Sequence, residues 1–108
     1  PDASLTPATA PRDVADADAL IVPGVGHFHA TAALDASWRS AIRTRVDAGI
    51  PLLGICLGMQ WLFEGSDEAP NLPGLGVFPG RCFALPAGRG IKIPHVGWNQ
   101  LERTSRSS

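Results

Sequence analysis

The sequence has no excess of charge of either sign and no long apolar run. Nine Lys and Arg residues stand against ten Asp and Glu, which gives a formal net charge of −1. This balance predicts neither a basic surface for nucleic acid nor an acidic tail. No apolar stretch approaches the roughly 20 residues that a membrane-spanning helix needs, and no segment has the pattern of a signal peptide. Binding to nucleic acid or to a membrane is therefore not predicted.

Cysteine is also scarce, with only Cys56 and Cys82 in the chain. The two could in principle pair, but one lies at a predicted chain corner and the other in an apolar run. We interpret both as free thiols of a reducing, cytoplasmic compartment. No Cys and His residues have the spacing of metal ligands, so neither a metal nor a cofactor is predicted. The 108 residues make at most one domain, and with 44% apolar residues they can build a core.

The most informative segment is Gly-Ile-Cys-Leu-Gly-Met-Gln, residues 54–60. An apolar run at residues 50–55 leads into it and an amphipathic run at residues 57–64 leads out, which predicts a strand, a corner and a helix. Gly-x-Cys-x-Gly is the thiol form of the nucleophile elbow, whose sharp corner exposes the nucleophile. A helix N-terminus favours the reactive thiolate. Cys56 is therefore the predicted nucleophile; the alternative, a buried core thiol, is the commoner role of a lone cysteine.

A glycine-rich turn, Pro-Gly-Val-Gly at residues 23–26, follows the apolar run of residues 19–22. A thiolate that attacks a carbonyl group creates an oxyanion, which needs two N–H donors. The elbow offers the N–H of Leu57, and the glycine turn offers that of Val25 or Gly24. Taken alone, the same pattern is more often an ordinary strand-to-helix turn.

Between the two turns the sequence has the periodicity of a helix. Trp38, Ile42 and Val46 recur every four residues and form one apolar stripe. Asp35 or Ser37 can cap the N-terminus of this helix. We expect the stripe to pack against the core.

Strands and helices alternate along the chain, which indicates an α/β fold with a parallel sheet covered on both faces. Residues 19–22 and 50–55 are the predicted strands, and residues 28–34 predict a short helix. Further extended segments are predicted at residues 75–85 and 91–99. Sites in such sheets form at the carboxyl ends of strands. If the first two strands are neighbours, the glycine turn and the elbow face each other across a cleft.

A cysteine hydrolase also needs a base, usually a His that a carboxylate orients. His27 and His29 follow the glycine turn, and His95 lies in Pro-His-Val-Gly-Trp-Asn, residues 94–99. None of them has an evident orienting carboxylate, so the sequence shows no triad. We interpret His27 and His29 as turn or surface residues.

These motifs resemble one family. Residues 54–60 resemble the nucleophile motif of class I (triad-type) glutamine amidotransferases, a motif that several branches share, CTP synthase among them. Residues 23–28 and 94–99 are similar to stretches of the glutaminase subunits of imidazole glycerol phosphate synthase, of histidine biosynthesis. Residues 63–70 also fit these subunits. The resemblance runs in order over residues 19–101, most of the chain.

The resemblance implies a flavodoxin-like α/β glutaminase with a parallel-rich sheet. Cys56 would attack the side-chain amide of glutamine to form a glutamyl thioester; ammonia leaves, and water releases glutamate. The ammonia would pass to a partner subunit, a cyclase with a (β/α)₈ barrel.

The residues that match the family's site fall into two groups. Cys56 matches the nucleophile, Leu57 and Val25 match the oxyanion donors, and Gly26 and Gln60 match the lining of the glutamine pocket. The resemblance also implies that the glycine-turn peptide reorients when the partner's site is occupied, which makes Val25 a switch. The face near the cyclase is matched by Lys92, Pro94, His95, Trp98 and Asn99.

The chain departs from the family at both ends. The family's catalytic His and Glu come well downstream of the nucleophile, and an opening strand and helix precede it. Residues 1–108 are therefore expected to form a partial amidotransferase domain, the nucleophile half, that is inactive by itself. His95 matches the partner-facing motif and is not the expected base. Two alternatives stay open: a CTP- or GMP-synthesis branch, against which residues 94–99 argue, and a non-catalytic binding domain that keeps the elbow.

Overall fold

A computed structural model describes residues 2–104 of the chain. Residues 1 and 105–108 lie outside the described residues. The expectation of a truncated domain depends partly on these residues. The elements, in chain order, are a first 3₁₀ helix (Pro11–Val14), strand β1 (Leu20–Val22), a second 3₁₀ helix (Phe28–Ala33), helix α1 (Ala36–Asp47), strand β2 (Leu52–Gly54), helix α2 (Leu57–Trp61), strand β3 (Gly65–Ser66) and strand β4 (Arg81–Cys82). Residues 83–104 contain neither helix nor strand.

The first two strands run parallel, as predicted, and they are neighbours, which was the condition for the two turns to face each other. Ile21 lies opposite Leu53 in the β1–β2 pair. The pairing continues beyond β2, where the Ile55 N–H donates to the Val22 carbonyl at 3.0 Å. Strands β3 and β4 form a second parallel pair. Parallel strands joined through helices confirm the α/β architecture.

The two faces of the β1–β2 pair are unlike each other. Leu20, Val22 and Leu52 pack against the core, whereas Ile21 and Leu53 are 51% and 56% exposed. Successive side chains of a strand point to opposite faces, so the second face of this pair carries an apolar surface. The expectation that the sheet is covered on both faces is therefore wrong for residues 2–104.

Helix α1 begins and ends with recognisable caps. The Oδ1 atom of Asp35 accepts hydrogen bonds from the N–H groups of Ser37 at 3.0 Å and Trp38 at 3.2 Å. Of the two predicted caps, Asp35 is therefore the one used. At the other end Gly49 has a φ of 87°, and its N–H donates to the Val46 carbonyl at 2.9 Å. A left-handed glycine after the last turn is a common way to end a helix.

The core lies between the inner face of the strand pair and the two α-helices. Phe28 and Trp61 are its fully buried large side chains. Ile42 of α1 is 4% exposed, and Trp38 and Val46 pack against the cluster, which confirms the predicted apolar stripe. The other buried apolar residues are Val14, Leu57, Leu62 and Leu75.

Three predicted elements are shorter or tighter in the structure. The helix predicted at residues 57–64 ends at Trp61. It stops there because a later segment of the chain donates hydrogen bonds to the carbonyl groups at the end of the helix. The Leu75 N–H donates to the Trp61 carbonyl at 2.6 Å, and the Val77 N–H donates to the Leu62 carbonyl at 2.8 Å. The same returning chain leaves only Arg81–Cys82 as strand within the predicted residues 75–85. The short helix after the glycine turn is of 3₁₀ type.

The contact between α2 and β1 yields a stability prediction. A Cβ atom added at Gly58 would overlap the Val22 carbonyl group, with the carbonyl carbon only 2.5 Å away. We expect Gly58→Ala to lower the free energy of unfolding by about 3 kcal/mol, since neither backbone can move without breaking the pairing of β1. The measurement is the midpoint of urea unfolding, followed by Trp fluorescence.

The matched control is Gly88→Ala, in the segment without regular structure. There the added methyl group would meet only the flexible end of Ile91, at 3.3 Å, so a change within about 0.5 kcal/mol is expected. Equal unfolding midpoints for the two variants would contradict the tight contact at Gly58.

Candidate active site

The predicted nucleophile lies at a strained backbone corner. Cys56 has φ 55° and ψ −118°, and it is the one non-glycine residue with positive φ among those that the structure describes. These angles are the mirror image of extended backbone, which an L-residue adopts at a cost of about 1–3 kcal/mol. Cys56 is exposed, has a free thiol and is the N-cap of α2. The corner therefore has the sharp turn and the accessible side chain of a nucleophile elbow.

Two glycines make this corner possible. A Cβ atom at Gly54 would lie 2.7 Å from the Cα of Met59, and one at Gly58 would overlap the Val22 carbonyl group. Strand β2, helix α2 and strand β1 thus approach one another backbone to backbone. The sequence pattern Gly-x-Cys-x-Gly is explained by this contact, since larger residues on either side of Cys56 would push the helix away.

The glycine turn lies directly against the elbow. The Leu57 N–H donates to the Gly24 carbonyl at 3.1 Å, so the donor predicted for an oxyanion is occupied in this conformation. In a trans peptide the C=O and N–H point in opposite directions. The N–H of Val25 shares a peptide with the Gly24 carbonyl and therefore points away from Leu57. An oxyanion would have to displace the Gly24 carbonyl before it could bind the Leu57 N–H.

The two predicted pocket residues lie on different elements, Gly26 in the glycine turn and Gln60 in α2. Gly26 has a φ of 99°, and a Cβ atom there would meet nothing within 4 Å. Gln60 follows Cys56 by one helical turn, and its N–H donates to the Cys56 carbonyl at 3.1 Å. A cleft of about 630 Å³ adjoins this side of α2 and is lined by Met59, Gln60, Ser66, Asp67, Glu68, Arg81, Cys82, Phe83 and Ala84. Its size is that of a small-molecule pocket.

The structure adds Glu68, to which the sequence pattern assigned no role. Its Oε2 accepts a hydrogen bond from the Phe28 N–H at 2.8 Å, and its Oε1 lies 4.0 Å from Nε2 of His27. This carboxylate therefore ties the loop after α2 to the end of the glycine turn. A separation of 40 residues leaves no local signal, and the polar composition of residues 66–71 predicts only a loop.

The hydrogen bonds of the histidines do not involve the Cys56 sulfur. Nδ1 of His27 accepts from the His29 N–H at 3.0 Å and so caps the second 3₁₀ helix. His95 is exposed and pairs with the Asn99 side chain at 2.8 Å. In neither contact does a carboxylate orient the imidazole ring toward Cys56. Within residues 2–104, therefore, no catalytic triad is assembled.

The second thiol has a different environment. Cys82 is half-buried, and burial raises the pKa of its thiol, an effect that the positive charge of Arg81 partly opposes. Its sulfur lies 3.9 Å from the Gln60 carbonyl. Both Cys56 and Cys82 are free thiols, as predicted.

The predicted partner-facing residues form a separate, fully exposed stretch. Trp98 has 102% and Val96 85% of its maximal exposure. Every residue from 83 to 104 is exposed. This stretch therefore lies on the protein surface without packing against the core. Its predicted members are Lys92, Pro94, His95, Trp98 and Asn99.

The described residues, 2–104, contain neither a metal-ligand cluster nor a helix that could span a membrane. In that part of the chain no three His, Cys, Asp or Glu side chains converge as a metal site. No helix there has both the length and the apolar character to cross a bilayer.

Comparison with known proteins assigns the chain to a class. The profile described as glutamine amidotransferase class-I matches residues 3–104, and the chain belongs to this family. Among curated relatives, it is 50% identical over 93 residues to "Imidazole glycerol phosphate synthase subunit HisH" of Methanopyrus kandleri, which covers 85% of this chain and 46% of that protein.

Two further relatives have related names. The chain is 45% identical over 91 residues to the HisH subunit of Thermococcus kodakarensis, covering 84% of this chain and 45% of that protein. It is 44% identical over 96 residues to "Imidazole glycerol phosphate synthase hisHF" of Emericella nidulans, covering 87% of this chain and 17% of that protein. The chain thus spans less than half the length of each of these three relatives.

The backbone of Cys56 leads to a test that needs no substrate. Glycine adopts φ 55°, ψ −118° without strain, whereas alanine keeps the strain of an L-residue. We expect Cys56→Gly to be more stable to urea than Cys56→Ala by about 1 kcal/mol, after allowance for glycine's greater unfolded-state entropy. Ser40 lies inside α1 and serves as the control. There Ser40→Ala should be more stable to urea than Ser40→Gly, because glycine is unfavourable in a helix. Should Cys56→Ala prove the more stable variant at position 56, the strained corner would be refuted.

Proposed function

We propose that the protein is the glutaminase component of an imidazole glycerol phosphate synthase. It hydrolyses glutamine to glutamate and ammonia through a thioester on Cys56, and the ammonia passes to a cyclase subunit with a (β/α)₈ barrel, in the histidine biosynthesis of the cytoplasm. The observation that carries the proposal is the exposed Cys56 thiol at a strained corner, held against a glycine turn, in a chain whose relatives are named as subunits of this synthase. Those names favour this branch over CTP or GMP synthesis.

The chemistry assigns a role to each residue around the corner. The Cys56 thiol loses its proton as its sulfur attacks the carboxamide carbon, and the C=O electrons move onto oxygen. The amide nitrogen gains a proton, the oxyanion collapses, and the C–N bond breaks to release ammonia and leave a thioester. Water then hydrolyses the thioester to glutamate and the free thiol. Leu57 and Val25 are the proposed N–H donors. Because the Gly24 carbonyl occupies the Leu57 N–H at 3.1 Å, we propose that the Gly24–Val25 peptide rotates, which withdraws the carbonyl and presents the Val25 N–H. Val25 is then the proposed switch of activity.

The proposed glutamine pocket extends from Gly26 to Gln60. The cleft beside Gln60 has side chains of both charge signs, Asp67 and Arg81 among them. Asp67 and Arg81 pair with each other at 3.2 Å, so the ammonium and carboxylate groups of an amino acid would compete with this ion pair. The open space at Gly26 leaves room for a substrate at the side of the turn.

The proposed partner surface is the exposed stretch with Lys92, Pro94, His95, Trp98 and Asn99. An indole at 102% of its maximal exposure contributes nothing to the core, and aromatic side chains of this kind are frequent anchors of interfaces. The 2.8 Å pair between His95 and Asn99 holds part of this stretch in shape.

The whole domain is proposed to be flavodoxin-like, with residues 1–108 as its nucleophile half. The uncovered face at Ile21 and Leu53 is consistent with a larger sheet. A non-catalytic binding domain that keeps the elbow is the second candidate, since within residues 2–104 no His forms a hydrogen bond with the Cys56 sulfur.

The activity is tested in the complete gene product, combined with its cyclase. Cys56→Ala should lower glutamine hydrolysis at least about 10³-fold, because the thioester cannot form. Cys82→Ala, which removes the other thiol, should keep kcat, and any loss should appear in KM because Cys82 lines the cleft. The measurement is glutamate release in a coupled assay. Wild-type protein without activity in the assembled complex would favour the binding domain instead.

The partner surface makes an independent prediction. Trp98→Ala should weaken binding to the cyclase about 30-fold or more, as expected for an interface anchor, without shifting the midpoint of urea unfolding. Leu5→Ala is the control, since Leu5 is also exposed, at 86%, but lies outside the proposed surface. Isothermal titration calorimetry gives both affinities. Equal affinities for the two variants would remove Trp98 from the interface.

A further inference from the structure

Most arginines of residues 2–82 hold the fold together. They donate hydrogen bonds to backbone carbonyl groups of other segments, Arg39 to Gly74 at 2.8 Å and Arg43 to Leu75 at 3.1 Å. A guanidinium group that is used in this way stabilises the chain itself and is not available to another molecule. The arginines with such bonds are Arg39, Arg43, Arg45 and Arg81.

The cations of the exposed stretch, residues 83–104, have no such role. Arg89, Lys92 and Arg103 lie there on the surface. With the residues that the structure describes, none of the three forms a hydrogen bond or an ion pair. The stretch contains a single acidic residue, Glu102. Its three cations are therefore able to pair with a second molecule.

The remainder of the described chain has the opposite charge. Residues 2–82 contain nine Asp and Glu residues against five Arg and no Lys, whereas residues 83–104 contain three cations against one acid. The near-zero net charge of the whole sequence thus conceals a division between an acidic part and a basic stretch.

Apolar side chains accompany the cations of this stretch. Ile93, next to Lys92, is 52% exposed, Trp98 is 102% exposed and Leu101 is 98% exposed. Aromatic and apolar anchors together with arginine are typical of a surface that binds protein. A nucleic acid or an anionic membrane fits less well, because three cations replace few phosphate counterions and the acidic residues 2–82 would repel a polyanion.

We propose that the exposed stretch docks on an acidic surface of its partner, and that Arg89 and Arg103 join Lys92 as its charged contacts. The partner is the cyclase, so the inference rests on the proposed function. Opposite charges on two surfaces speed their encounter, and salt screens this attraction. The three cations therefore control the association rate constant kon, while the Trp98 anchor controls the dissociation rate constant koff.

Stopped-flow association of the complete gene product with its cyclase tests the inference. The wild-type kon should fall about tenfold between about 0.05 M and about 0.5 M NaCl. Lys92→Glu, and separately the double variant Arg89→Gln with Arg103→Gln, should lower kon about fivefold at the lower salt concentration and change koff less than about twofold. Trp98→Ala should instead act mainly on koff.

Arg12, in the first 3₁₀ helix, offers a matched control. It is exposed, and it lies outside the exposed stretch. Arg12→Glu changes the net charge by the same amount as Lys92→Glu, yet it should lower kon less than about twofold, because the encounter depends on the charge at the contact. Equal effects of the two variants, or a wild-type kon that does not respond to salt, would overturn the proposal.

Glutamate release in the same mixtures separates this inference from the proposed function. An active complex whose kon responds neither to salt nor to Lys92→Glu would overturn the inference and leave the glutaminase. A complex with the expected salt response but no glutamate release would refute the glutaminase and leave the docking surface. Tighter binding of single-stranded DNA or of phosphatidylserine vesicles than of the cyclase would overturn the inference, and the absence of any complex would overturn both.

Discussion

The close approach of helix α2 to strand β1 is the constraint on which the candidate site depends. Gly58 lies against the Val22 carbonyl group without room for a side chain. The helix therefore starts soon after β2, and the turn between them is reduced to Ile55 and Cys56, of which Cys56 has a positive φ. The same approach brings the Leu57 N–H to the Gly24 carbonyl. The nucleophile's exposure and the position of the glycine turn thus have one packing cause.

One hydrogen bond has two opposed effects at this site. The bond from Leu57 to Gly24 stabilises the glycine turn, yet it also occupies a donor that the proposed chemistry needs. Under the proposed function, a resting state of this kind would prevent ammonia release before the partner is bound. The energy needed to break one neutral hydrogen bond is only about 1 kcal/mol, which the binding of the proposed partner can supply.

The local features were predictable because their causes are local. Glycines at fixed positions around Cys56 indicate the corner, since backbone conformation and clearance depend on neighbouring residues. Asp35 and the spacing of Trp38, Ile42 and Val46 likewise indicate a capped amphipathic helix, and the structure has it. The end of α2 was not predictable, because the chain that returns at Leu75 takes the carbonyl groups that would continue the helix.

The sequence by itself predicted Cys56 as the nucleophile, and it determined the glycine-flanked corner, the parallel direction of the strands and the family. The tertiary structure alone decided three other things: that the Leu57 N–H is occupied, that Glu68 holds the end of the glycine turn across 40 residues, and that one face of the strand pair is exposed. Each of these depends on segments distant in sequence, whose contacts leave no mark on local composition or periodicity. Sequence patterns specify backbone geometry, and only packing specifies which polar groups meet.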